Sequence, residues 1–380
     1  MLRQLPRYNA CGAVVRGRGV VKRIGILTGG GDAPGLNAVI RAVVLTARNR
    51  YNWEVVGIRE GYDGLLHGAP TVGLPEEQVR DLLPRGGTIL GAVNRGNPFS
   101  RIVQRADGTA SVIDVSQEAI RRMDDLGLDA LVAAGGDGTM SIAQHLVDLG
   151  ARIVGVPKTI DNDLNGTDVT FGFDSALLTA TEALDKLQTT AESHHRVMVL
   201  EVMGRDAGWI ALHTGVAGGA DAILIPEIPF DIDVVVRKLE AVRRAGRRYS
   251  LIVVAEGAAP RGGDQHYYIQ ARGSAAGRLG GIGYIVGNLL SERTQAEVRV
   301  TVLGHVQRGG QPTPRDRWLA TRFGHAVVQL IAEEKWGYMA GLRGTEIVAV
   351  RMSDAIGKPK RVDPDGAQVT MARDLGIVFG

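Results

Sequence analysis

Between Val154 and Asp163 an apolar run gives way to a proline, a cation, a hydroxyl and two acids: Pro157, Lys158, Thr159, Asp161 and Asp163. A buried parallel strand that opens into polar residues at its carboxyl end commonly meets a ligand there. In an extended segment Asp161 and Asp163 point the same way and Asn162 the other. One carboxylate then serves as a base on a substrate hydroxyl, while the second serves a metal or fixes orientation. The competing reading is a turn that caps the next helix, since Asp-Asn-Asp is common turn material.

Four further clusters follow apolar runs in the same way. In Gly29-Gly30-Gly31-Asp32-Ala33-Pro34-Gly35 the glycines let backbone N–H groups approach a phosphate at a helix start, or simply form a tight turn. The sequence there is neither the dinucleotide fingerprint nor the Walker A pattern. In Gly135-Gly136-Asp137-Gly138-Thr139 the functional reading sets a phosphate over the glycines and Mg²⁺ near Asp137, since magnesium takes one or two carboxylates and keeps waters. The bland reading has Thr139 capping the helix and Asp137 fixing the turn. Met203-Gly204-Arg205 presents a guanidinium fork suited to phosphate, with Arg196 at the other end of that strand as a second candidate. Glu256 ends another strand, where it accepts sugar hydroxyls or faces solvent. In Leu303–Gly310, His305 and Arg308 are three apart and share a face if a helical turn forms.

The elements that must position these residues follow from periodicity. Strand-like runs fall at 24–28, 55–58, 130–134, 153–156, 197–202, 222–225, 251–255 and 298–302. Helical spacing fills segments between them, including 36–48, 176–192, 232–245 and 314–335. Short continuous apolar strands alternating with helices predict an α/β protein with doubly wound, mainly parallel sheets, and 380 residues suggest two domains. A 44% hydrophobic, 22% charged composition is that of a globular chain, and 5% aromatics argue against a base-stacking surface. No Cys or His cluster has zinc spacing, and one cysteine, Cys11, excludes an internal disulfide framework and fits a reducing cytoplasm. No apolar run approaches the ~20 residues of a membrane span.

The formal charge of +3 misleads about partners. Residues 1–22 hold Arg3, Arg7, Arg16, Arg18 and Lys22 and no acid; the remaining 39 basic and 41 acidic residues give −2. The body therefore has no basic bias toward nucleic acid. The leader is expected to be disordered, or to come from an upstream start codon, since it lacks the apolar core of a secretory signal.

Together these stretches resemble the 6-phosphofructokinases, from about Arg23 to about Lys335. The resemblance rests on Gly-Gly-Asp-Ala-Pro-Gly-Leu-Asn at 30–37, Gly-Gly-Thr-Ile-Leu-Gly at 86–91, Gly-Gly-Asp-Gly-Thr at 135–139, Thr-Ile-Asp-Asn-Asp at 159–163, Met-Gly-Arg at 203–205 and Leu-Gly-His-Val-Gln-Arg-Gly-Gly at 303–310. It implies phosphorylation of fructose 6-phosphate by ATP and Mg²⁺, a committing step of glycolysis, with the active site in the cleft between two domains. Asp161 would be the base, with Arg205 beside it on the transferring group. Gly31, Arg95, Gly136, Gly138 and Thr139 would hold the donor, and Asp137 and Asp163 the metal. Thr159, Ile160, Met203, Gly204 and Glu256 would hold the sugar, and His305 and Arg308 its phosphate. Arg196 and Arg299 would arrive from a neighbouring subunit, which implies a homotetramer, or at least a homodimer, in the cytoplasm. The implied domains are 23–172 for the donor, completed by part of 308–335, then 173–307 for the sugar phosphate, with 336–380 as an extension.

Two positions bear on the donor. Gly138 resembles the ATP-using members, where pyrophosphate users carry Asp; Lys158 resembles the pyrophosphate users, where common bacterial ATP enzymes carry Gly. Gly138 controls access on the adenosine side, so ATP is the expected donor and pyrophosphate the alternative. A non-catalytic sensor on the same fold would be expected to lose Asp161, Asp137 or Arg205, and all three are present. Of the residues that grip an ADP or phosphoenolpyruvate effector in bacterial members, Arg41 is kept. Leu45 stands one turn later in place of an arginine, and Asp221 stands in place of a Glu.

Overall fold

The computed structural model describes residues 23–93, 96–104, 110–269 and 278–380. In chain order the first strands are β1 (Arg23–Thr28), β2 (Glu54–Ile58), β3 (Val72–Gly73), β4 (Arg101–Gln104) and β5 (Ala110–Ile113). Next come β6 (Ala130–Gly135), β7 (Ile153–Pro157), β8 (Val197–Val202), β9 (Ala222–Leu224) and β10 (Ser250–Ala255). The last are β11 (Tyr267–Ile269), β12 (Arg278–Leu279), β13 (Val298–Val302), β14 (Tyr338–Arg343) and β15 (Glu346–Arg351). The chain divides into two compact units. One takes the residues up to Thr159, then Leu164–Gly172 and Gln311–Lys358; the other takes Ile160–Asp163, Phe173–Gly310 and Pro359–Gly380.

The first unit is built on a sheet of order β15-β14-β7-β6-β1-β2-β3. Its inner strands are parallel, and only the edge strands β3 and β15 run antiparallel to their neighbours. Every residue of β6 and β7 is buried, so their apolar runs carry no polar alternation. The two faces separate cleanly. Ile24, Ile26, Val132 and Val156 join one core with Val39 and Val43 of helix Leu36–Tyr51 and Phe323 and Val327 of helix Pro314–Ala332. Leu27, Leu131, Ala133 and Ile153 join the other with Met140, Ala143 and Leu146 of helix Asp137–Asp148. Each such fully buried Leu or Ile contributes roughly 1.5–3 kcal/mol by leaving water.

The second unit carries a parallel sheet of order β13-β8-β10-β9. Val199, Ile252 and Val254 pack on Val235 and Leu239 of helix Ile232–Arg244 and Val286 and Leu290 of helix Ile282–Arg293. Helices Phe173–His194 and Trp209–Ala217 pack on the same strands. The predicted strands and long helices therefore appear within a few residues of their expected bounds. Periodicity missed the short strands, the β14–β15 hairpin and the helices Gly61–His67, Ser116–Asp125, Trp209–Ala217 and Ile282–Arg293, among others.

Residues 336–380 do more than trail. The hairpin β14–β15 extends the first sheet beside β7. In the second unit Ile223 N–H donates to Val378 O at 2.9 Å and Val378 N–H to Asp221 O at 3.1 Å, so the terminal segment covers the free edge of β9.

The two helices of the first core meet closely at Gly324. A Cβ there would lie 2.7 Å from Ala42 Cβ and 2.8 Å from Val39 O. Gly324→Ala gains up to ~1 kcal/mol of helix propensity, but a clash with a backbone oxygen cannot be relieved by a rotamer. We expect a net loss of ~1–2 kcal/mol, read as a lower urea midpoint at unchanged slope; a raised midpoint would contradict the close approach.

Candidate active site

In the first unit three polar stretches leave neighbouring strands at one end of the sheet. Thr28 is in register with Ala134, and Gly135 with Pro157. Gly29 N–H donates to Ala134 O and Lys158 N–H to Gly135 O, each at 2.9 Å, so the loops begin tied to one another. Thr139 knits them further. A Cβ on Gly29 would lie 2.5 Å from Thr139 Oγ1, and one on Gly135 would lie 2.3 Å from Thr139 Cβ. These two glycines make room for a buried threonine.

Thr139 does not cap the helix. Helix Asp137–Asp148 starts after Gly136 and carries no side-chain cap bond, with Asp137 as its first-turn acid. Such an end offers backbone N–H groups to an anion. Gly138 faces open space, with nothing within 4 Å of where a Cβ would stand. Asp137 Oδ1 accepts from Gly357 N–H at 2.8 Å. Among the described residues no group of three His, Cys, Asp or Glu side chains converges as a metal site. A metal at Asp137 would thus rest on few protein oxygens and otherwise on water and phosphate, which suits magnesium. The Lys158 side chain is 3% exposed, and its Nζ donates to Gly31 O at 2.5 Å. Arg95 lies outside the described residues.

In the second unit the segment Ile160–Asp163 is not extended. Asn162 has φ 53°, a left-handed conformation that Asn tolerates better than most residues, and it turns the chain. Asn162 is buried while Asp161 and Asp163 are part-exposed, as the alternation expected, but a bend produces it rather than a strand. Lys360 Nζ donates to Asn162 Oδ1 at 3.0 Å, and Lys360 N–H to Asp163 O at 2.7 Å.

The carboxyl ends of β8, β10 and β13 supply the rest. Ala255 is in register with Val202, and Glu201 with Val302, so Met203-Gly204-Arg205, Glu256 and the 303–308 turn emerge at one end. Gly204 has φ 135°, and a Cβ there would lie 2.8 Å from Ala207 O, a turn closed to other residues. Gln265 Nε2 donates to Arg205 O at 2.9 Å and to Gly257 O at 3.2 Å, holding those two loops together. Gly304–Arg308 is a 3₁₀ turn, so His305 and Arg308 share a face. Buried Gln307 steadies it by donating to Gly304 O at 3.2 Å.

Electrostatics joins these residues. The Glu256 carboxyl is pushed up to about 7, first by burial, then by the negative charges of Asp161 and Glu201, against the pull of Arg205 and Arg308. Asp161, Arg205, Glu256 and Arg308 therefore share one neighbourhood. Arg196 and Arg299 do not join it; they stand at the amino ends of β8 and β13, where Arg196 lies 2.8 Å from Glu297 and Arg299 pairs with the same oxygen. The two arginines hold the Glu297 carboxyl below its usual range, Arg196 chiefly.

Sequence reasoning passed over Glu201, Gln265, Gly357 and Lys360. Glu201 left a signal, an acid inside the apolar run Val197–Val202. Its buried carboxylate accepts from Gly281 N–H at 2.9 Å and Gly283 N–H at 2.7 Å, at the start of helix Ile282–Arg293. Asp221, which stands where bacterial members carry a Glu for the effector's metal, is buried; it pairs with Arg247 and accepts from Leu251 N–H at 3.1 Å. That carboxylate is committed to packing.

The model of the family described as Phosphofructokinase matches residues 23–331, most of the chain. The chain is 55% identical over 359 residues to the ATP-dependent 6-phosphofructokinase of Chloroflexus aurantiacus, covering 94% of itself and 98% of that protein. It is 50% identical over 347 residues to the pyrophosphate–fructose 6-phosphate 1-phosphotransferase of Amycolatopsis methanolica, covering 90% of itself and 97% of that protein. A solved structure of phosphofructokinase from Saccharomyces cerevisiae superposes with a TM-score of 0.73 at 34% identity, over 88% of this chain and 45% of the longer yeast chain. This chain belongs to the phosphofructokinase family.

Glu256 also predicts a pH effect. Its folded pKa of about 7 lies above the ordinary 4.5, so between those values the native state holds a proton that the unfolded chain has released. The group's contribution is full at low pH and is lost as pH rises toward neutrality. Glu256→Gln should flatten the fall in unfolding free energy from about pH 4.5 to 7. Urea titrations across that range check it, and parallel curves for parent and variant would contradict the assignment.

Proposed function

We propose that this chain transfers the terminal phosphoryl group of ATP to the primary hydroxyl of fructose 6-phosphate, yielding fructose 1,6-bisphosphate and ADP. The observation that carries the reading is the shared neighbourhood of Asp161, Glu256, Arg205 and Arg308 at the strand ends of the second sheet. Phosphoryl transfer needs chiefly a positioned hydroxyl, a base for its proton and cations facing the transferring oxygens. Asp161 takes the hydroxyl proton as the oxygen bonds to the terminal phosphorus and the bond to the ADP oxygen breaks. Arg205 faces the charge that spreads over the equatorial oxygens. Thr159, Ile160, Met203, Gly204 and Glu256 would meet the sugar, and His305 and Arg308 its 6-phosphate. Arg196 and Arg299 serve the site of a neighbouring copy in a homotetramer, which accounts for their distance from the Asp161 group.

On the donor side, Gly31, Gly136, Gly138 and Thr139, with Arg95, cradle the phosphates through backbone and charge. Asp137 and Asp163 would hold Mg²⁺, which supplies charge neutralisation on the donor phosphates. The open space at Gly138 supports ATP, since a side chain there would project where the nucleotide must lie. Pyrophosphate is the second reading, favoured by Lys158, and relatives of comparable identity bear each name. Lys158 Nζ donates to Gly31 O, and nothing lies within 4 Å of where a Cβ would stand on Gly138, which supports room for a nucleotide there. A cytoplasmic location follows from the glycolytic reading; among the described residues no helix is long and apolar enough to cross a membrane.

Two measurements test this. Asp161→Asn should lower kcat by ~10²–10⁴ with the KM for fructose 6-phosphate within about threefold; activity within threefold of the parent would remove Asp161 from the mechanism. Steady-state assays of the parent should show turnover with ATP and Mg²⁺. Turnover with pyrophosphate alone would overturn the donor, and turnover with neither would leave a sensor.

A further inference from the structure

The turn that presents Asp161 is held from an unexpected quarter. Asn162 is a non-glycine residue at φ 53°, a conformation that persists only where surroundings fix it. Residue 360 supplies part of those surroundings. Its Nζ donates to Asn162 Oδ1 at 3.0 Å and its N–H to Asp163 O at 2.7 Å, so both flexible parts of the turn, side chain and backbone, are engaged. Its own carbonyl accepts from Trp209 Nε1 at 2.7 Å, and its ammonium stands 5.9 Å from the Trp209 ring centre.

Trp209 begins the helix that follows Met203–Gly208, the stretch carrying Arg205. Two residues beyond Lys360, Val362 N–H donates to Glu227 Oε1 at 2.8 Å, and the same oxygen accepts from Gly208 N–H at 2.9 Å. The segment 360–362 thus bonds directly to Trp209 and to the Asn162 turn, and shares the Glu227 carboxylate with Gly208. Its far end is anchored by fully buried Val369 and by Val378 on the edge of β9.

We propose that Lys360 is a positioning residue for the phosphoryl-transfer reaction: it locks the left-handed turn at Asn162 and ties it to the Arg205 stretch, so that Asp161 is aimed at the substrate hydroxyl. This rests on Asp161 acting as the base. A turn loosened by about 1 Å misplaces the carboxylate without removing it, which costs rate rather than affinity. Lys360→Met keeps the stem on Trp209 and the backbone bonds and removes the ammonium, both its Nζ donor and its charge.

With fructose 6-phosphate and ATP, Lys360→Met is expected to lower kcat roughly 10- to 100-fold, with KM for both substrates within about threefold and the melting temperature unchanged. Lys360→Arg, which keeps a donor at that reach, should recover most of the loss. Asp161→Asn measured alongside separates the two failures. If it is severely impaired while Lys360→Met stays within twofold of the parent, Lys360 has no positioning role. If Lys360→Met loses rate only in step with a lowered melting temperature, and Arg does not recover it, the role is structural and the proposal falls. If Asp161→Asn is itself within threefold of the parent, the base assignment fails and this inference with it.

Discussion

Gly29 N–H on Ala134 O and Lys158 N–H on Gly135 O are the last rungs of a ladder of parallel strands that admits no polar side chain along β6 and β7. Buried on both faces, those strands must stay apolar until they end, because an unpaired polar group inside would cost several kcal/mol. Chemistry is therefore pushed to the carboxyl ends, and the register fixes which ends are neighbours. The glycine loops, the helix starting at Asp137 and the Lys158–Thr159 step are consequences of that ladder. The Thr139 side chain, fitted against Gly29 and Gly135, turns two separate loops into one surface.

The second sheet repeats the arrangement with a different charge problem. Glu256 holds its proton toward neutrality first because it is buried, and then because Asp161 and Glu201 lie close by and Arg205 and Arg308 only partly offset them. Glu201 is stabilised in its buried place by two N–H groups at the start of a helix, where partial positive charge favours an anion. The far ends of β8 and β13, with Arg196 and Arg299 strung on Glu297, form a separate basic feature that one chain leaves remote from Asp161.

The closing segment shows how little an element's own composition says about its importance. Residues 336–380 carry Lys358, Lys360, Arg361, Asp363 and Asp365 in one polar run, but it follows no buried parallel strand that would mark chemistry. Yet Gly357 donates to Asp137 in one unit, and Lys360 bonds to the Asn162 turn in the other. These are single bonds from backbone or from an ordinary lysine, and their meaning lies wholly in where they end.

The strands were legible in the sequence, because short continuous apolar runs bounded by glycines and prolines, alternating with helical patterns, suit inner strands buried on both faces of a parallel sheet. The sequence by itself also determined the candidate residues at their ends, since glycines, acids and arginines crowd where those runs stop. Asp137, Asp161, Arg205, Glu256 and Arg308 were legible for that reason. Only the tertiary structure decided that Asn162 turns the chain in a left-handed bend, that Thr139 packs between two glycines instead of capping, and that Asp221 is spent on Arg247. Only it brought Lys360 to Asn162, 198 positions away in sequence. Periodicity reports which face of an element is buried, while the partner of a single hydrogen bond is chosen by packing between distant segments, and no local pattern carries that information.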